Sequence, residues 1–296
     1  MSDTSFYATE DDFKQIGKLV GIDPVFISRD EVLEYSKDES EGEKGSSGVS
    51  ALLKEMGEAA FSPDPDAFAV FAAENRRRIR EAALLDESVV QTLILGYRIG
   101  ISGGSGSCMN DLGALYYMGE LVEQDYSKAV ELYEMAMDHG CYQSIVNLGY
   151  IWEYGRTGTR DYQKAYQYYA LAAALVNSSE GLYKLGDMYS RGKAVDRDMA
   201  KALQLWSRSL ELAKGIVAIA QPAIRIAQLL ISDEDCASAG VEPDPLHALS
   251  LFQQAEIGLR IDIEDGQTYY ERRLEEAIEG QERAREILGM KSAWAE

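Results

Sequence analysis

The residues of this chain that could do nucleophilic or acid–base chemistry are few. Ser190 lies three positions before Lys193, which is the spacing at which some acyl-transfer enzymes activate a serine with a lysine one helical turn away. Gly192 lies between them, and a glycine at such a place favours the end of a helix over its continuation. We therefore expect Lys193 to lie in a turn, which disfavours a serine nucleophile with a lysine base.

Histidines and cysteines do not form a metal-ligand pattern either. His139 and His247 have no histidine or cysteine neighbour at the spacing of a zinc site, and His139 precedes a glycine, as is typical of a helix C-terminus. The cysteines are an odd number without paired spacing, which argues against a disulfide framework and favours buried thiols: Cys108, Cys141 and Cys236. We expect no catalytic residue, no metal and no cofactor.

An internal repeat is the strongest pattern in the chain. Leu-Gly pairs begin at Leu112, Leu148 and Leu185, at steps of 36 and then 37 residues. Each pair is followed by an aromatic residue, then by a Gly, an Asp and a Lys-Ala pair at offsets that are the same in all three copies. A fourth, degenerate copy begins at Ala227. A period of this length is typical of stacked units of two elements each.

The physical chemistry of one copy predicts a hairpin of two helices, A and B. Leu112 and Tyr116 lie at helical spacing and give helix A an apolar stripe. Gly119 tolerates the positive φ that ends a helix, and Asp125 can accept hydrogen bonds from the free N–H groups of helix B. Ala129 allows the facing helix to approach closely. One such hairpin cannot bury both faces, so the copies must stack.

These motifs resemble the Sel1-like repeat, a relative of the tetratricopeptide repeat, over about residues 106–258. The resemblance implies an all-α fold, an α/α superhelical solenoid of antiparallel helix hairpins. It also implies a concave groove lined by the A helices and a role in binding other proteins. It does not imply a particular partner.

Departures from the pattern are concentrated in the fourth copy. Ala227-Gln228 replaces Leu-Gly, and the polar stretch 232–245 lengthens the turn between its two helices. The interval between the third and fourth copies is also longer than the earlier ones. We therefore expect helix B of the third copy to extend through Leu212, Ile216 and Ile219, with a bend or splay of the stack there.

Flanking segments complete a predicted organisation in four parts. Thr9 to Asp12 looks like a capping box that starts a helix, helical patterns cover Val49–Phe61, Pro65–Leu85 and Glu87–Ile101, and a charged amphipathic helix covers Asp265–Leu288. The predicted parts are an N-terminal helical segment with an acidic Gly/Ser-rich linker (1–48), a helical cap or degenerate repeat (49–105), about four repeats (106–258) and a C-terminal capping helix (259–296).

The net charge of the chain indicates which classes of partner to expect. The 29 Lys and Arg against 50 Asp and Glu give a net charge of −21, which repels nucleic acid and anionic membranes, so neither is expected as a partner. Such a charge promotes solubility, and it would also attract a basic peptide. The sequence shows no basic and apolar leader and no apolar run long enough to span a bilayer, so we expect a cytoplasmic protein.

The resemblance also indicates which residues would face the groove, namely those beside each Leu-Gly pair and one turn later. Tyrosines there offer contact area with a terminal hydroxyl, asparagine can donate to and accept from a peptide backbone, and the cations could bind a carboxylate. The candidate peptide-binding residues are Asn110, Tyr117, Asn147, Tyr150, Tyr154, Tyr183, Lys184, Arg191 and Arg225. Ordinary solvated or packing roles are the alternative. Asp111, Glu153 and Asp187 are placed on the same side without an assigned role.

From these patterns we predict a non-enzymatic protein- or peptide-binding solenoid that acts as an adaptor or scaffold. Two other classes stay open. One is a hydrolase that uses the repeat groove as its active site, and the other is a purely structural subunit of a larger assembly. The sequence leaves the oligomeric state open.

Overall fold

The computed structural model describes residues 6–19 and 48–290, and within these ranges it contains helices and no strand. The predicted all-α class is therefore confirmed. A short 3₁₀ turn covers Thr268–Tyr270. The helices, in chain order, are α1 Glu10–Leu19, α2 Gly48–Ala60, α3 Ala67–Glu74, α4 Arg76–Ala83, α5 Glu87–Ser102, α6 Gly106–Met118, α7 Tyr126–Asp138, α8 Gln143–Tyr154, α9 Tyr162–Val176, α10 Ser179–Arg191, α11 Met199–Leu212, α12 Ile216–Leu230, α13 Asp233–Ala239, α14 Pro245–Glu264 and α15 Glu271–Ile287.

Helices α6 to α14 form the hairpins of the four repeats. The A and B helices are α6 and α7 in the first repeat, α8 and α9 in the second, α10 and α11 in the third, and α12 and α14 in the fourth. The chain divides into two compact units, residues 1–148 and 149–296. The predicted boundary at residue 259 lies inside α14, and the predicted acidic linker lies almost entirely outside the described residues, so it stays a prediction.

Each of the first three hairpins is closed by a glycine of helix A that lies against an aromatic ring of helix B. A Cβ atom on Gly149 would lie 2.3 Å from the Tyr169 ring, and one on Gly186 would lie 2.4 Å from Trp206 Nε1. Gly113 faces Tyr133 in the same way, with a distance of 2.9 Å. All three aromatic side chains are buried. The Leu-Gly pairs of the sequence are thus the points where two helices touch most closely.

Caps fix the ends of these helices as the sequence indicates. Gly119 ends α6 with a φ of 70°, a left-handed conformation that glycine adopts without strain. At the start of each B helix an aspartate side chain accepts hydrogen bonds from backbone N–H groups, and such caps typically contribute about 1 kcal/mol each. These aspartates are Asp125, Asp161, Asp198 and Asp244.

In the N-terminal unit, α1 is attached to α5 through one carboxylate. Asp12 forms the predicted capping box with Thr9, whose backbone nitrogen lies 2.6 Å from Asp12 Oδ2. The same side chain binds the guanidinium of Arg98 on α5, with Nη2 at 2.9 Å and Nη1 at 3.1 Å. Arg98 also donates to the carbonyl oxygen of Tyr7 at 2.8 Å. Asp12 therefore both starts α1 and holds it in place.

The predicted helix over 65–85 is in fact two helices. The chain leaves the helical conformation at Asn75, where φ is −107°, and the Asn75 amide donates to the carbonyl oxygen of Phe71 at 3.0 Å. Phe68 on α3 lies against Gly96 on α5. That this part is a helical cap or degenerate repeat stays a prediction. Here an asparagine that bonds its own preceding turn overrides an otherwise continuous apolar pattern.

Three details after the third repeat correct the sequence-based predictions. Helix B of the third repeat does not extend through Ile216, because Gly215 has a φ of 87° and α12 begins directly after it. The extra residues lengthen helix A of the fourth repeat instead. The polar stretch contains the short helix α13, capped by Ser232, which buries Cys236. The C-terminal helix begins at Glu271, after the 3₁₀ turn, and packs on α14, where Gly280 faces Phe252.

In residues 6–19 and 48–290, no individual helix has the length and apolar character needed to cross a bilayer. Helices α12 and α13 reach this length and apolar character only when they are taken together, and the chain bends by 101° at the break between them.

The glycine contacts generate a first prediction. Gly186→Ala should lower the free energy of unfolding by about 1–3 kcal/mol, because the new methyl group overpacks the interface with Trp206. This cost exceeds the gain of about 1 kcal/mol from replacing a helical glycine. Urea unfolding followed by tryptophan fluorescence measures it. Gly113→Ala, with its wider spacing, serves as the matched control and should cost less. Unchanged stability in Gly186→Ala would contradict the packing argument.

Candidate partner-binding surface

The A helices present a row of side chains that we call the A stripe. Relative to the repeat leucine or its equivalent, it consists of the residues at positions −5, −1, +2 and +6. Residues at these spacings lie on one face of a helix. The stripe residues are Ser107, Asp111, Ala114 and Met118 in the first repeat, Gln143, Asn147, Tyr150 and Tyr154 in the second, Glu180, Lys184, Asp187 and Arg191 in the third, and Pro222, Ile226, Leu229 and Asp233 in the fourth.

Exposure of the A stripe differs between repeats. All four stripe residues are half-exposed in the first repeat and half-exposed or exposed in the second. In the third, Lys184 and Asp187 are each only 3% exposed, although Arg191 at the helix end is exposed. In the fourth, the three stripe residues on α12 are buried. The surface available to a partner therefore lies mainly on α6 and α8.

A chain of three polar side chains lies on the stripe of the N-terminal unit. Asn147 Nδ2 donates to Asn110 Oδ1 at 2.9 Å, and Asn110 Nδ2 donates to Asp111 Oδ1 at 3.0 Å. Asn110 is buried, whereas Asn147 and Asp111 are half-exposed. Tyr117 lies off the stripe with its ring edge-on to Tyr126, at a centroid distance of 5.5 Å.

The carboxylate of Asp111 has no matching cation in the fold. No Lys or Arg nitrogen of the described chain lies within ion-pair distance of it. Burial raises the pKa of Asp111 to about 6, and the hydrogen bond from Asn110 and the charge of Arg76 offset this effect only in part. A carboxylate that is costly to ionise near neutral pH is a common mark of a functional site.

In the C-terminal unit, the stripe lysine is matched within the fold. Lys184 Nζ lies 2.5 Å from Glu153 Oε2, and the hydroxyl of Tyr169 donates to the same oxygen at 2.9 Å. The ammonium group also lies 4.8 Å from the ring centroid of Tyr150 and 5.5 Å from that of Tyr154. Burial works against ionisation of Glu153, but the lysine charge beside it lowers the Glu153 pKa below its ordinary value. Lys184 thus presents no uncompensated charge to a ligand.

A second buried ion pair joins the third and fourth repeats. Arg225 Nε and Nη2 each lie 3.1 Å from the carboxylate of Asp187, which also accepts from Trp206 Nε1 at 3.1 Å. The guanidinium carbon lies 5.2 Å from the ring centroid of Tyr183. Burial opposes the charge on Asp187, yet Arg225 lowers the Asp187 pKa, and Asp187 in turn raises the Arg225 pKa. Such bidentate pairs favour a single geometry.

Tyrosine hydroxyls link the second and third repeats in the same unit. Tyr150 OH lies 2.7 Å from Tyr183 OH and donates to Glu180 Oε1 at 2.8 Å. Burial raises the pKa values of Tyr150 and Tyr183 well above the ordinary value for tyrosine, so both hydroxyls stay protonated. The ring of Tyr150 is therefore held by hydrogen bonds, while Tyr154, stacked on it, is 42% exposed.

The nine sequence-predicted groove residues separate into two groups by position. Five lie on the A stripe: Asn147, Tyr150, Tyr154, Lys184 and Arg191. Four lie beside it, and three of those are buried: Asn110, Tyr117, Tyr183 and Arg225. Two of the three cations proposed to bind a carboxylate are neutralised by internal acids, which leaves Arg191. A binding role for each residue stays a prediction.

Glu153 and Asp187 are placed on the groove side from the sequence, but their pairing with these cations is not predicted from it. Glu153 precedes Lys184, and Asp187 precedes Arg225, by about one repeat length. Opposite charges at a separation of one repeat are the signal that could have found both pairs, because residues one repeat apart lie next to each other in a stack.

Groups that resembled catalytic pairs have structural partners. Ser190 Oγ donates to the carbonyl oxygen of Asp187 at 3.1 Å, and Lys193, in the turn after Gly192, lies 3.6 Å from Glu153. His139 Nδ1 lies 2.9 Å from the carbonyl oxygen of Met135 at the end of α7. Within the described ranges, all three cysteines are free thiols, and no three His, Cys, Asp or Glu side chains are grouped so as to bind a metal.

The hairpins, their shared caps and the A stripe define an α-helical repeat protein. Four segments match the family description "Sel1 repeat", residues 106–141, 143–177, 179–213 and 227–256. The chain belongs to the Sel1-like repeat family, as its motifs predicted. Proteins of this family generally act as non-enzymatic scaffolds for protein–protein interaction.

One solved structure supports the fold, and a second is reported beside it. A Sel1 repeat protein from Oxalobacter formigenes is 20% identical, with a TM-score of 0.50 over 80% of this chain and 98% of that protein. The protective antigen c5321 of uropathogenic Escherichia coli, which has an SLR fold, is 19% identical, with a TM-score of 0.45 over 95% of this chain and 64% of that protein. No curated protein sequence matches the chain.

The buried ion pair generates a second prediction. Arg225→Met should lower the free energy of unfolding by about 3–5 kcal/mol, because it leaves Asp187 buried without its cation. The double variant Asp187→Leu with Arg225→Met removes both charges and should recover part of this loss. A double-mutant cycle by urea unfolding measures the coupling. Additive effects of the two substitutions would show that the pair does not interact as described.

The raised pKa of Asp111 generates a third prediction. Because the folded protein binds this proton more tightly than the unfolded chain, the stabilisation is complete below about pH 4 and is lost as the pH rises to about 6. Asp111→Asn removes this titration. Relative to the parent protein, the variant should gain about 1–3 kcal/mol of stability between pH 4 and pH 7. Urea unfolding at several pH values tests it, and a variant that is less stable at pH 7 would contradict the assignment.

Proposed function

We propose that this protein is a scaffold that binds a segment of a partner protein along the A stripe of α8. The observation that carries the proposal is the row Gln143, Asn147, Tyr150 and Tyr154, which is open on a single helix whose other residues are mostly buried. Family membership supports the general role, and the chemistry of this row supports the place. Amides and tyrosines together are typical of surfaces that bind protein.

Preorganisation of the tyrosines supports binding at this row. The rings of Tyr150 and Tyr154 are nearly parallel, with an interplanar angle of 6° and centroids 6.0 Å apart. Tyr150 is fixed by its bonds to Tyr183 and Glu180, so little side-chain entropy is lost when a ligand packs on the pair. The two rings offer an apolar face, and Asn147 beside them offers hydrogen-bonding capacity to a peptide backbone.

Catalysis has no comparable support in the described residues. The serine and lysine proposed for hydrolysis each bind other groups, and the stripe of α8 carries no histidine, cysteine or carboxylate. We therefore propose a binding function without turnover.

A fourth prediction concerns the binding row. A photo-reactive phenylalanine analogue at position 154 should cross-link a partner from extracts of the source cell, whereas the same group at position 134, an exposed site on α7, should not. The purified partner should then bind the Tyr154→Ala and Asn147→Ala variants about tenfold or more weakly than the parent, because removal of a contact at the centre of an interface typically has such an effect.

Controls for this experiment use the same helix pair. Glu134→Gln should bind the partner as the parent does, and circular dichroism should show that Tyr154→Ala keeps its helices, since the Tyr154 ring is largely exposed. Equal affinity of the parent, Tyr154→Ala and Asn147→Ala for the captured partner would place the binding surface elsewhere.

A further inference from the structure

We infer that the partner segment places a cationic side chain, the ammonium of a lysine or the guanidinium of an arginine, on the carboxylate of Asp111. This inference rests on the proposed function and specifies the chemistry of the partner. It is carried by three observations in the N-terminal unit: an incomplete chain of hydrogen bonds, a carboxylate without a cation, and the contrast with the equivalent position of the third repeat.

The chain of hydrogen bonds leaves one oxygen atom at each end without a donor among the described residues. Asn147 donates to Asn110, and Asn110 donates to Asp111 Oδ1. In this arrangement, Asn147 Oδ1 and Asp111 Oδ2 accept no hydrogen bond from any described residue. Both side chains are half-exposed, so a ligand can reach them. Both oxygens can therefore accept a hydrogen bond from a ligand that donates, and the Asp111 carboxylate carries a formal negative charge.

The charges around Asp111 do not compensate it. Arg76 on α4 is an exposed side chain that favours the ionised form but makes no ion pair with Asp111, and Asp66, before α3, opposes ionisation. The other titratable groups that the Asp111 charge acts on are Tyr97, Cys108, Tyr133 and Cys141. Burial raises the pKa of each of them, so they are neutral at pH 7.

A partner cation would supply the missing charge. A charge-assisted hydrogen bond in a half-buried place is stronger than one at an exposed surface. The net charge of −21 also draws cationic segments toward the protein.

In the third repeat, the position equivalent to Asp111 has a counter-ion within the fold. Lys184 occupies the same place in its repeat as Asp111 does in the first, and its charge is matched by Glu153 within the fold. Among residues 6–19 and 48–290, an internal counter-ion is therefore present at the later position and none at the earlier one. The cations once expected to bind an acidic partner, Lys184 and Arg225, are both neutralised.

A fifth prediction tests this inference with defined probes. Fluorescein-labelled hexalysine and hexaglutamate peptides are titrated with the full-length protein at low salt, and fluorescence anisotropy measures their affinities. Hexalysine should bind, and Asp111→Asn should weaken it by about tenfold or more, as expected for a lost charge-assisted bond. Glu134→Gln, which removes one exposed negative charge from the same unit, should change the affinity by about twofold or less.

Two further readouts separate a specific contact from general attraction to an acidic surface. The difference between the parent and Asp111→Asn should disappear as the pH falls below about 6, because lysine stays charged while Asp111 takes up a proton. Carbodiimide treatment of the hexalysine complex should join a peptide lysine to Asp111 in an amide bond, which mass spectrometry locates. Asp111→Asn keeps the shape of the side chain, so lost binding will not reflect unfolding.

The possible outcomes distinguish this inference from the function on which it rests. Equal hexalysine binding by Asp111→Asn and Glu134→Gln, or tighter binding of hexaglutamate than of hexalysine, would overturn the inference. In either case, a partner captured at position 154 would leave the proposed function standing. If neither hexalysine nor any protein binds, both proposals fail.

Discussion

The close contact between a glycine of helix A and an aromatic ring of helix B is the constraint on which the repeats depend. At Gly149 and Gly186, no methyl group fits between the helices, so the absence of a side chain at these positions is what lets the two helices approach so closely. That approach turns the opposite face of helix A away from its own hairpin. The A stripe lies beside this contact, and in the third repeat the stripe residue Asp187 supports it by accepting a hydrogen bond from Trp206 Nε1.

The stripe residues have different environments in different repeats. In the third repeat, the stripe residues Lys184 and Asp187 are matched by acids and bases within the fold and become part of the core. In the first, Asp111 is left without a counter-ion at a cost in stability. In the second, Tyr150 and Tyr154 form an open apolar face. One fold thus carries paired, buried polar groups at some positions and, at equivalent ones, more exposed groups that we propose bind a partner.

The sequence was sufficient where structure depends on local conformation. The turn after α6 needs a residue at positive φ, and Gly119 is one; helix B needs an acceptor at its start, and Asp125 is one. Sequence was insufficient where tertiary contacts decide. The break at Asn75 and the end of α11 before Gly215 both interrupt apolar patterns that continue across them. The compensation of charge around Lys184 depends on which side chains are buried together, and burial cannot be read from a single sequence.

The double role of Asp12 has a consequence for how the N-terminal helix behaves. Its carboxylate initiates α1 through Thr9 and binds Arg98 of α5. A helix of ten residues is too short to persist alone in water, so α1 depends on its contacts with α5. Formation of helix α1 and its packing on α5 are therefore a single event. We expect the amide protons of α1 to exchange as one cooperative block and not residue by residue from a frayed end.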